Sequence, residues 1–221
     1  MRLSQGRADA AHREDRSSEL KAAYRSVLRR SYGRMASRIR PAAALRRRVG
    51  ELEADNLRLF RMAYMDPLTS LWNRNKLDEE FHAVLRNAVA AGGNATVVMM
   101  DLNKLKAVND THGHLAGDEY IRSFASLLQR NLRQGDSAFR FGGDEFLLLC
   151  PGIGSGSAIA IVKRLREQAN SAGISFSAGV SDLKSALIAG VTPCNLPSLA
   201  LAILEQADRK VYWHKGIQRL R

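Results

Sequence analysis

Cysteine is scarce in this 221-residue sequence, which has only Cys150 and Cys194, far apart along the chain. Neither belongs to a CxxC pair or a Cys/His cluster, which argues against a disulfide framework and against a cysteine-based zinc site. No apolar run approaches the ~18 residues of a membrane span, and the N-terminus lacks the apolar stretch of a secretory signal. We therefore expect a protein of the reducing cytoplasm, without an integral membrane segment in these residues.

Acidic residues are few in the first part of the chain. Residues 1–65 hold 16 Lys or Arg against 7 Asp or Glu, whereas residues 66–221 hold 18 against 15. Most of the net charge of +12 therefore belongs to the N-terminal segment. Nucleic acid or an anionic membrane could bind residues 1–40, but a solvated Arg-rich helix explains the charge equally well. No aromatic-interleaved basic patch supports base stacking there.

Two helices are predicted before residue 66. Residues 17–40 have a weak helical pattern, and the apolar spacing from 45 to 63 then alternates between 4 and 3, which is typical of a coiled-coil seam. Fewer than three heptads are marginal alone, so a dimerising coil and a helix packed on its own domain both stay open. We divide the chain into a basic helical segment, 1–65, with a signalling coil at about 42–65, and a domain over 66–221. The seam positions are Leu45, Val49, Leu52, Asn56, Leu59 and Ala63.

Helices and strands alternate after Asp66-Pro67, where the residue before proline disfavours a continuing helix. Apolar periodicity and turn residues define these elements. The pattern predicts an α/β domain around one sheet. Its predicted elements are helix 75–91, strand 95–101, helix 118–133, strands 137–141 and 145–150, helix 157–172, strand 174–180 and helix 198–214.

Two acidic points stand next to predicted strands. Asp101 ends the strand 95–101, and Asp144 and Glu145 follow the tight turn at Gly142-Gly143. If that strand lies beside the hairpin, the acidic residues meet at one edge of the sheet. Mg²⁺ prefers a few carboxylates together with phosphate oxygens. A glycine hairpin with solvated acidic residues explains the same pattern, so spacing alone leaves both interpretations open.

Five ordered motifs narrow the choice. Arg140-Phe-Gly-Gly-Asp-Glu-Phe146 resembles the signature of the GGDEF family, the diguanylate cyclases. The resemblance covers residues 66–221 and implies a mostly antiparallel five-stranded sheet flanked by helices, the nucleotidyl-cyclase-like α+β fold. The other segments that resemble family motifs are Asp66-Pro-Leu-Thr-Ser-Leu-Trp-Asn-Arg74, Asp101-Leu-Asn-Lys-Leu-Lys-Ala-Val-Asn-Asp110, Gly113-His-Leu-Ala-Gly-Asp118, and Ala207-Asp208 with Tyr212 and Lys215.

The resemblance implies a reaction in which two GTP condense to cyclic di-GMP and release two pyrophosphates. It implies metal ligands at Asp101, Asp144 and the Leu102 carbonyl, for Mg²⁺ or Mn²⁺, with two ions per GTP. Asp144 or Glu145 would help to deprotonate the attacking ribose hydroxyl, and Lys106 would stabilise charge on the triphosphate. Cations suit this chemistry, because negative charge grows on oxygens around the α- and β-phosphates.

Asn109 and Asp118 match the guanine contacts of the family. A carboxylate can accept from both N1–H and the 2-amino group of guanine, a pair that adenine lacks. Helix capping is the alternative for both residues, because Asp118 opens a predicted helix. The other implied GTP contacts are the backbone N–H groups of Asn103, Lys104 and Leu105, which can form an anion-binding nest, the turn at Gly142 and Gly143, and the side chains of Lys215 and Arg219.

Arg133-Gln-Gly-Asp136 matches the RxxD motif at which the family binds its product as an inhibitor. An Arg can grip a phosphate or the O6/N7 edge of guanine with two hydrogen bonds, and an Asp can accept from the N1/N2 edge. An incidental Arg and Asp in a polar turn is the alternative. Because the product is two-fold symmetric, the resemblance also implies a homodimer in which each domain lends a half-site.

The sequence departs from the family pattern at a few positions. Asn103 replaces a frequent acidic residue, Leu105 a frequent Phe and Ser70 a usual Gly. Asn103 removes a negative charge near the implied ions, which would weaken the second one. The implied metal, phosphate and guanine residues are kept, so we expect catalysis. The competing interpretation is a catalytically retired GGDEF domain that binds cyclic di-GMP through Arg133 and Asp136.

Overall fold

The computed structural model describes residues 42–190 and 195–219, and within them the side chains of residues 44–190 and 195–216. The predicted helix 17–40, the basic residues 1–40 and Cys194 lie outside the described residues. The chain divides into two compact units, one ending at Arg58 and the other beginning at Leu59. No helix in the described ranges is both long enough and apolar enough to span a bilayer.

Seven helices and four strands occur in the described ranges. Most of them follow the predicted elements to within a few residues. In chain order they are α1 (Ala42–Tyr64), α2 (Arg74–Ala90), β1 (Ala95–Leu102), α3 (Leu105–His112), α4 (His114–Asn131), β2 (Ser137–Arg140), β3 (Glu145–Pro151), α5 (Ser155–Ser171), β4 (Phe176–Asp182), α6 (Leu183–Ile188) and α7 (Leu196–Arg219).

The strands form one antiparallel sheet in the order β2-β3-β1-β4. Helices α4 and α5 cover one face, where Phe124 and Leu165 pack against Met100 of β1 and its neighbours. Helices α2 and α7 cover the other face, where Leu77 and Ile203 belong to a second apolar cluster. Every residue of β1 is buried as a result, which explains why residues 97–100 are continuously apolar rather than alternating.

The predicted antiparallel sheet flanked by helices is confirmed, and the described residues contribute four strands to it where the resemblance implied five. After β4 the chain enters α6 at once. Asp182 ends the strand and caps that helix, because its carboxylate accepts the Ser185 N–H at 2.7 Å. Residues 191–194 lie outside the description.

The sequence analysis did not predict the two short helices α3 and α6, and it placed the start of α4 wrongly. Helix α3 has no buried residue, so it lacks the apolar period that would reveal it. The helix predicted from 118 begins at His114 instead. Gly113 makes this possible: with φ of +83° it donates its N–H to the Asn109 carbonyl, ending α3, and accepts from Ala116, opening α4.

The last helix, α7, is fitted closely to the edge strand β4. The backbone of Gly179 faces it so tightly that a Cβ there would lie 2.0 Å from the Ala207 carbonyl oxygen. Two side chains fasten the contact: Lys210 donates to the Val180 carbonyl, and Ser181 donates to Gln206 at 3.0 Å. This packing carries the end of α7 toward the end of β1.

Candidate active site

Three carboxylates meet where β1 ends and β3 begins. Asp101 stands directly opposite Glu145 in the register of the two strands, and the Leu102 N–H donates to the Asp144 carbonyl at 2.9 Å. Asp101 is buried, with 8% of its surface exposed, whereas Asp144 and Glu145 are half-buried. The strand therefore lies beside the hairpin, which is the condition that the sequence analysis set for the acidic residues to meet.

Lys215 of α7 brings a positive charge to this cluster. Its Nζ lies 2.7 Å from Oδ1 of Asp101. That oxygen is fully buried, so the contact is a close ion pair in which Lys215 neutralises part of the charge of Asp101.

The carboxylates repel one another in a partly desolvated place. Burial raises the pKa of Asp101 above its usual value, and the charges of Asp144 and Asp208 add to the rise while Lys215 opposes it. Burial likewise raises the pKa of Glu145, helped by Asp101, Asp144 and Asp208. The sequence analysis quoted Asp208 only as part of a motif and missed its place here, because α7 brings it in from the far end of the chain.

These residues fit a divalent cation. Asp101 and Asp144 offer carboxylate oxygens, and the carbonyl of Leu102, the residue after Asp101, offers a third oxygen. A bound cation would relieve the repulsion between the carboxylates. Among the described residues, no three His, Cys, Asp or Glu side chains lie close enough together to hold a metal ion by themselves. Substrate phosphate oxygens would have to complete the coordination of an ion held by two carboxylates and a carbonyl.

Arg140 fixes the shape of the glycine turn. Its Nε and Nη2 donate to the Gly143 carbonyl at 3.2 and 2.7 Å, and its Nη1 donates to both carboxylate oxygens of Asp66 at 3.1 and 3.2 Å. The sequence analysis quoted both residues as motif ends and missed their pairing, since they lie 74 positions apart. The turn that carries Asp144 is thus tied to the loop after α1.

Asp66 is itself held by Thr69, whose backbone N–H and hydroxyl donate to it at 2.9 and 2.7 Å. Burial alone would raise the pKa of Asp66, but the Thr69 hydrogen bonds and the Arg140 guanidinium outweigh it and lower the pKa. A cavity of about 380 Å³ opens beside this ion pair and borders the turn rather than the carboxylate cluster. Its lining is Asp66, Asn73, Arg74, Asn75, Arg140, Phe141, Gly142 and Gly143.

A network of hydrogen bonds holds the loop after β1 in place. The Asn103 N–H donates to the Ser175 carbonyl at 2.8 Å, and its side-chain amide contacts the hydroxyls of Ser175 and Ser177. The Tyr120 hydroxyl accepts the Ser175 N–H at 2.9 Å and lies 3.3 Å from the Asn103 carbonyl. The N–H of Asn103, one of the three predicted to contact phosphate, is therefore already bonded to the residue that precedes β4.

Lys104 and Leu105 continue this loop into α3. Lys104 is in the left-handed region, with φ of +64°, and it caps the helix that Leu105 begins. N–H groups in a first helical turn have no carbonyl partner within the helix, so this end of α3 presents donors. Lys106 follows in the same turn with an exposed side chain.

Asn109 and Asp118 are brought together by the pair α3 and α4. The Asn109 side chain lies against the backbone of Gly117, the residue before Asp118. Asp118 is part-exposed, and its carboxylate is 3.9 Å from the Arg122 guanidinium. It lies inside α4, whose N-cap is Gly113, so Asp118 does not cap that helix.

Arg133 and Asp136 bind each other at the opposite end of the hairpin. Arg133 Nε donates to Asp136 at 3.0 Å, and its Nη2 donates to the Pro151 carbonyl at 2.6 Å. The Arg133 side chain is 51% exposed, whereas that of Asp136 is 3% exposed. Strand β3 separates this pair from the carboxylates by roughly 20 Å, at about 3.4 Å per residue.

The pKa of the buried Cys150 thiol is raised to about 12 by burial and by Asp136.

The remaining predicted contact, Arg219, is the last residue of α7, and its side chain lies outside the description.

The contribution of the Arg140–Asp66 ion pair to stability can be tested by substitution. We expect Arg140→Ala to lower the free energy of unfolding at pH 7 by about 2–3 kcal/mol, because Asp66 stays half-buried without its cation. The folded-state pKa of Asp66 is lowered, so its interactions contribute stability above the usual Asp pKa and lose it as pH falls through the folded value. The loss, measured by chemical denaturation, should therefore shrink below about pH 4.

Arg209→Ala is the matched control, since the pair that Arg209 forms with Glu205 at 3.6 Å is exposed. We expect it to change stability by less than about 0.5 kcal/mol. Equal losses in the two variants, or an Arg140→Ala loss that is the same at every pH, would contradict the role of the Asp66 pair.

Comparison with known sequences identifies one family model and several relatives that match most of this chain. The sequence model of the family described as "Diguanylate cyclase, GGDEF domain" matches residues 63–221. "Diguanylate cyclase DgcP" of Pseudomonas aeruginosa is 34% identical over 157 residues, which are 71% of this chain and 23% of that protein. "Response regulator PleD" of Caulobacter vibrioides is 30% identical over 159 residues, 72% of this chain and 35% of that protein. The chain thus spans only about a quarter to a third of these relatives.

Solved structures share the fold. The coiled coil and GGDEF domain of DgcB from Caulobacter crescentus, in complex with c-di-GMP, superposes with a TM-score of 0.68 at 25% identity. It covers 79% of this chain and 92% of its own. Diguanylate cyclase SiaD from Pseudomonas aeruginosa, in complex with its activator SiaC, has a TM-score of 0.61 at 26% identity and covers 97% of this chain and 85% of its own.

Proposed function

The chain belongs to the GGDEF family, and from this membership we propose that it is a diguanylate cyclase, which condenses two GTP into cyclic di-GMP and two pyrophosphates. One observation carries the proposal. The register of β1 and β3 sets Asp101 opposite Glu145 and beside Asp144, with the Lys215 ammonium 2.7 Å from Asp101. Carboxylates and a cation in one place suit the binding and transfer of a nucleoside triphosphate.

Metal binding is part of this proposal. Asp101, Asp144 and the Leu102 carbonyl would hold Mg²⁺ or Mn²⁺, with two ions per GTP. A divalent cation there would neutralise charge on the triphosphate and make the attacking hydroxyl more acidic. The support from this chain is the buried carboxylate of Asp101, which stands opposite Glu145, and the pKa of both residues, which burial and neighbouring carboxylates raise.

The protein's own side chains divide the remaining work. The 3′-hydroxyl of one GTP attacks the α-phosphate of the other, and Asp144 or Glu145 receives the hydroxyl proton. Burial and neighbouring carboxylates raise the pKa of Glu145, which makes it a stronger base than an ordinary Glu. Lys106 and Lys215 stabilise negative charge on the phosphates, and the pyrophosphate leaves with the electron pair of the broken P–O bond.

Guanine selection falls to the neighbouring pair of Asn109 and Asp118. The Asp118 carboxylate accepts from N1–H and the 2-amino group, which adenine cannot offer together. The Asn109 amide reaches O6 or N3. Their support is the contact of Asn109 with the start of α4, one residue before Asp118.

A GTP assay tests the central proposal. Protein with GTP and Mg²⁺ should form cyclic di-GMP, detected by chromatography, and Asp144→Ala should lower the rate by more than about 100-fold through loss of a metal ligand. Asp78→Ala, an exposed carboxylate of α2, is the control and should keep the wild-type rate. Full activity of Asp144→Ala would overturn the metal assignment. A wild-type protein that binds cyclic di-GMP but forms none would support the retired-receptor alternative.

A homodimer belongs to the same proposal, because two domains must face each other to join two GTP. Three leucines of the seam in α1 are exposed: Leu45 by 37%, Leu52 by 46% and Leu59 by 61%. Apolar residues at coiled-coil core positions gain stability by packing against a second helix, and Asn56 favours two parallel strands. The dimer raises the effective concentration of one half-site around the other.

Leu52→Asp tests the coil, with Leu57→Asp as control. Both leucines are exposed on α1, but only Leu52 lies on the seam. We expect Leu52→Asp to sediment as a monomer and its synthesis rate to become second order in protein, since a buried charge opposes the coil. Leu57→Asp should remain dimeric. Identical sedimentation of the two variants would reject the seam.

Product inhibition is the last part of the proposal. Arg133 and Asp136 bind cyclic di-GMP, with the half-exposed guanidinium of Arg133 as the first contact. Their distance from the carboxylates, across the length of β3, makes this a separate site. A structural relative, DgcB, was solved in complex with c-di-GMP.

Arg133→Ala tests that site. We expect its initial rate of synthesis to match wild type and the inhibition by added cyclic di-GMP to weaken by about 100-fold, because charged hydrogen bonds to the ligand are lost. Arg86→Ala, an exposed Arg of α2, is the control and should keep normal inhibition. Unchanged inhibition of Arg133→Ala would move the inhibitory site elsewhere.

A further inference from the structure

Gly117 occupies a position where its own conformation does not require glycine. It is the fourth residue of α4, it is buried, and its φ is not among the positive values of the chain. Glycine is less favourable than alanine inside a helix, because it loses more backbone freedom on folding. Something other than helix formation must therefore account for a glycine here.

The space beside Gly117 is filled by one side chain. A Cβ built on this residue would lie 1.8 Å from Oδ1, 2.9 Å from Cγ and 3.4 Å from Nδ2 of Asn109. The three nearest atoms thus all belong to the Asn109 amide. The bare backbone of Gly117 is the surface against which that amide rests.

The backbones on both sides of this contact are fixed by Gly113. Its N–H donates to the Asn109 carbonyl at 2.8 Å, and its own carbonyl accepts the Gly117 N–H at 3.3 Å. The helices are therefore joined through one residue, and the movable part of the contact is the Asn109 side chain. An alanine at 117 can be accommodated by rotation of that amide, without separation of α3 from α4.

We propose that Gly117 is a positioning residue for guanine selection, because the absence of a Cβ keeps the Asn109 amide beside Asp118. The inference rests on the proposed function, in which Asn109 and Asp118 contact guanine. Alanine at 117 turns the amide away and leaves Asp118 in place, since the helix backbone is unchanged. Gly117→Ala therefore reproduces the loss caused by Asn109→Ala while the domain stays folded.

Nucleotide binding to the full chain tests the inference without turnover. The probes are α,β-methylene GTP and α,β-methylene ATP, which cannot release pyrophosphate, titrated by calorimetry. We expect Gly117→Ala and Asn109→Ala each to weaken binding of the GTP analogue about tenfold, the usual cost of one hydrogen bond, and to leave the ATP analogue unaffected. The preference for guanine should fall by the same factor in both variants.

Two further variants make the test specific. The double variant Asn109→Ala with Gly117→Ala should bind like Asn109→Ala alone, because both changes act on one contact. Gly156→Ala is the matched control: it also lies in the first turns of a helix, α5, with nothing within 4 Å of the added Cβ, and should bind like wild type.

The outcomes separate the inference from the proposed function. A guanine preference lost in Asn109→Ala but kept in Gly117→Ala overturns the inference and leaves the guanine assignment standing. A preference kept in both variants overturns the assignment of Asn109, and the inference with it. If Gly117→Ala alone melts far below wild type, the double variant should regain the melting temperature, and failure to regain it would refute the Asn109 contact as the cause.

Discussion

The antiparallel pairing of β1 with β3 is the constraint on which the rest of the site depends. Its register sets Asp101 opposite Glu145, and the hydrogen bond from Leu102 to Asp144 continues the pairing into the glycine turn. A slip of one residue would send these side chains to the other face of the sheet. Because both faces of β1 are packed by helices, such a slip would also break the fit of its side chains in both apolar clusters, so the same packing that stabilises the core fixes the register of the site.

This arrangement gathers negative charge, and the surrounding elements hold it in place. Arg140 ties the turn to Asp66, and α7 brings Lys215 to Asp101 through its close fit on Gly179. Burial first, and then the charge of the neighbouring carboxylates, raises the pKa of Asp101 and Glu145. A site of this kind is ready to bind a cation, since positive charge relieves strain that the fold already contains.

The two ends of the hairpin differ in electrostatic state. At the glycine end, carboxylates crowd together with one lysine, whereas at the other end Arg133 and Asp136 neutralise each other and Arg133 also binds Pro151. One rigid strand, β3, joins the two ends. The proposed synthesis and the proposed inhibition would thus occur at separate places on a single element.

The sequence by itself determined the element types wherever apolar periodicity was strong, as in α2, α5 and β1, and its motifs named most candidate site residues. It missed α3, which has no buried face, and placed the start of α4 too late, since one glycine serves both helices. It could not predict the ion pair of Asp66 with Arg140, the hydrogen bond between Tyr120 and Ser175, or the packing of the Asn109 side chain against Gly117. Those contacts join residues far apart in the chain or depend on atomic fit, so only the packing of the helices on the sheet decided them.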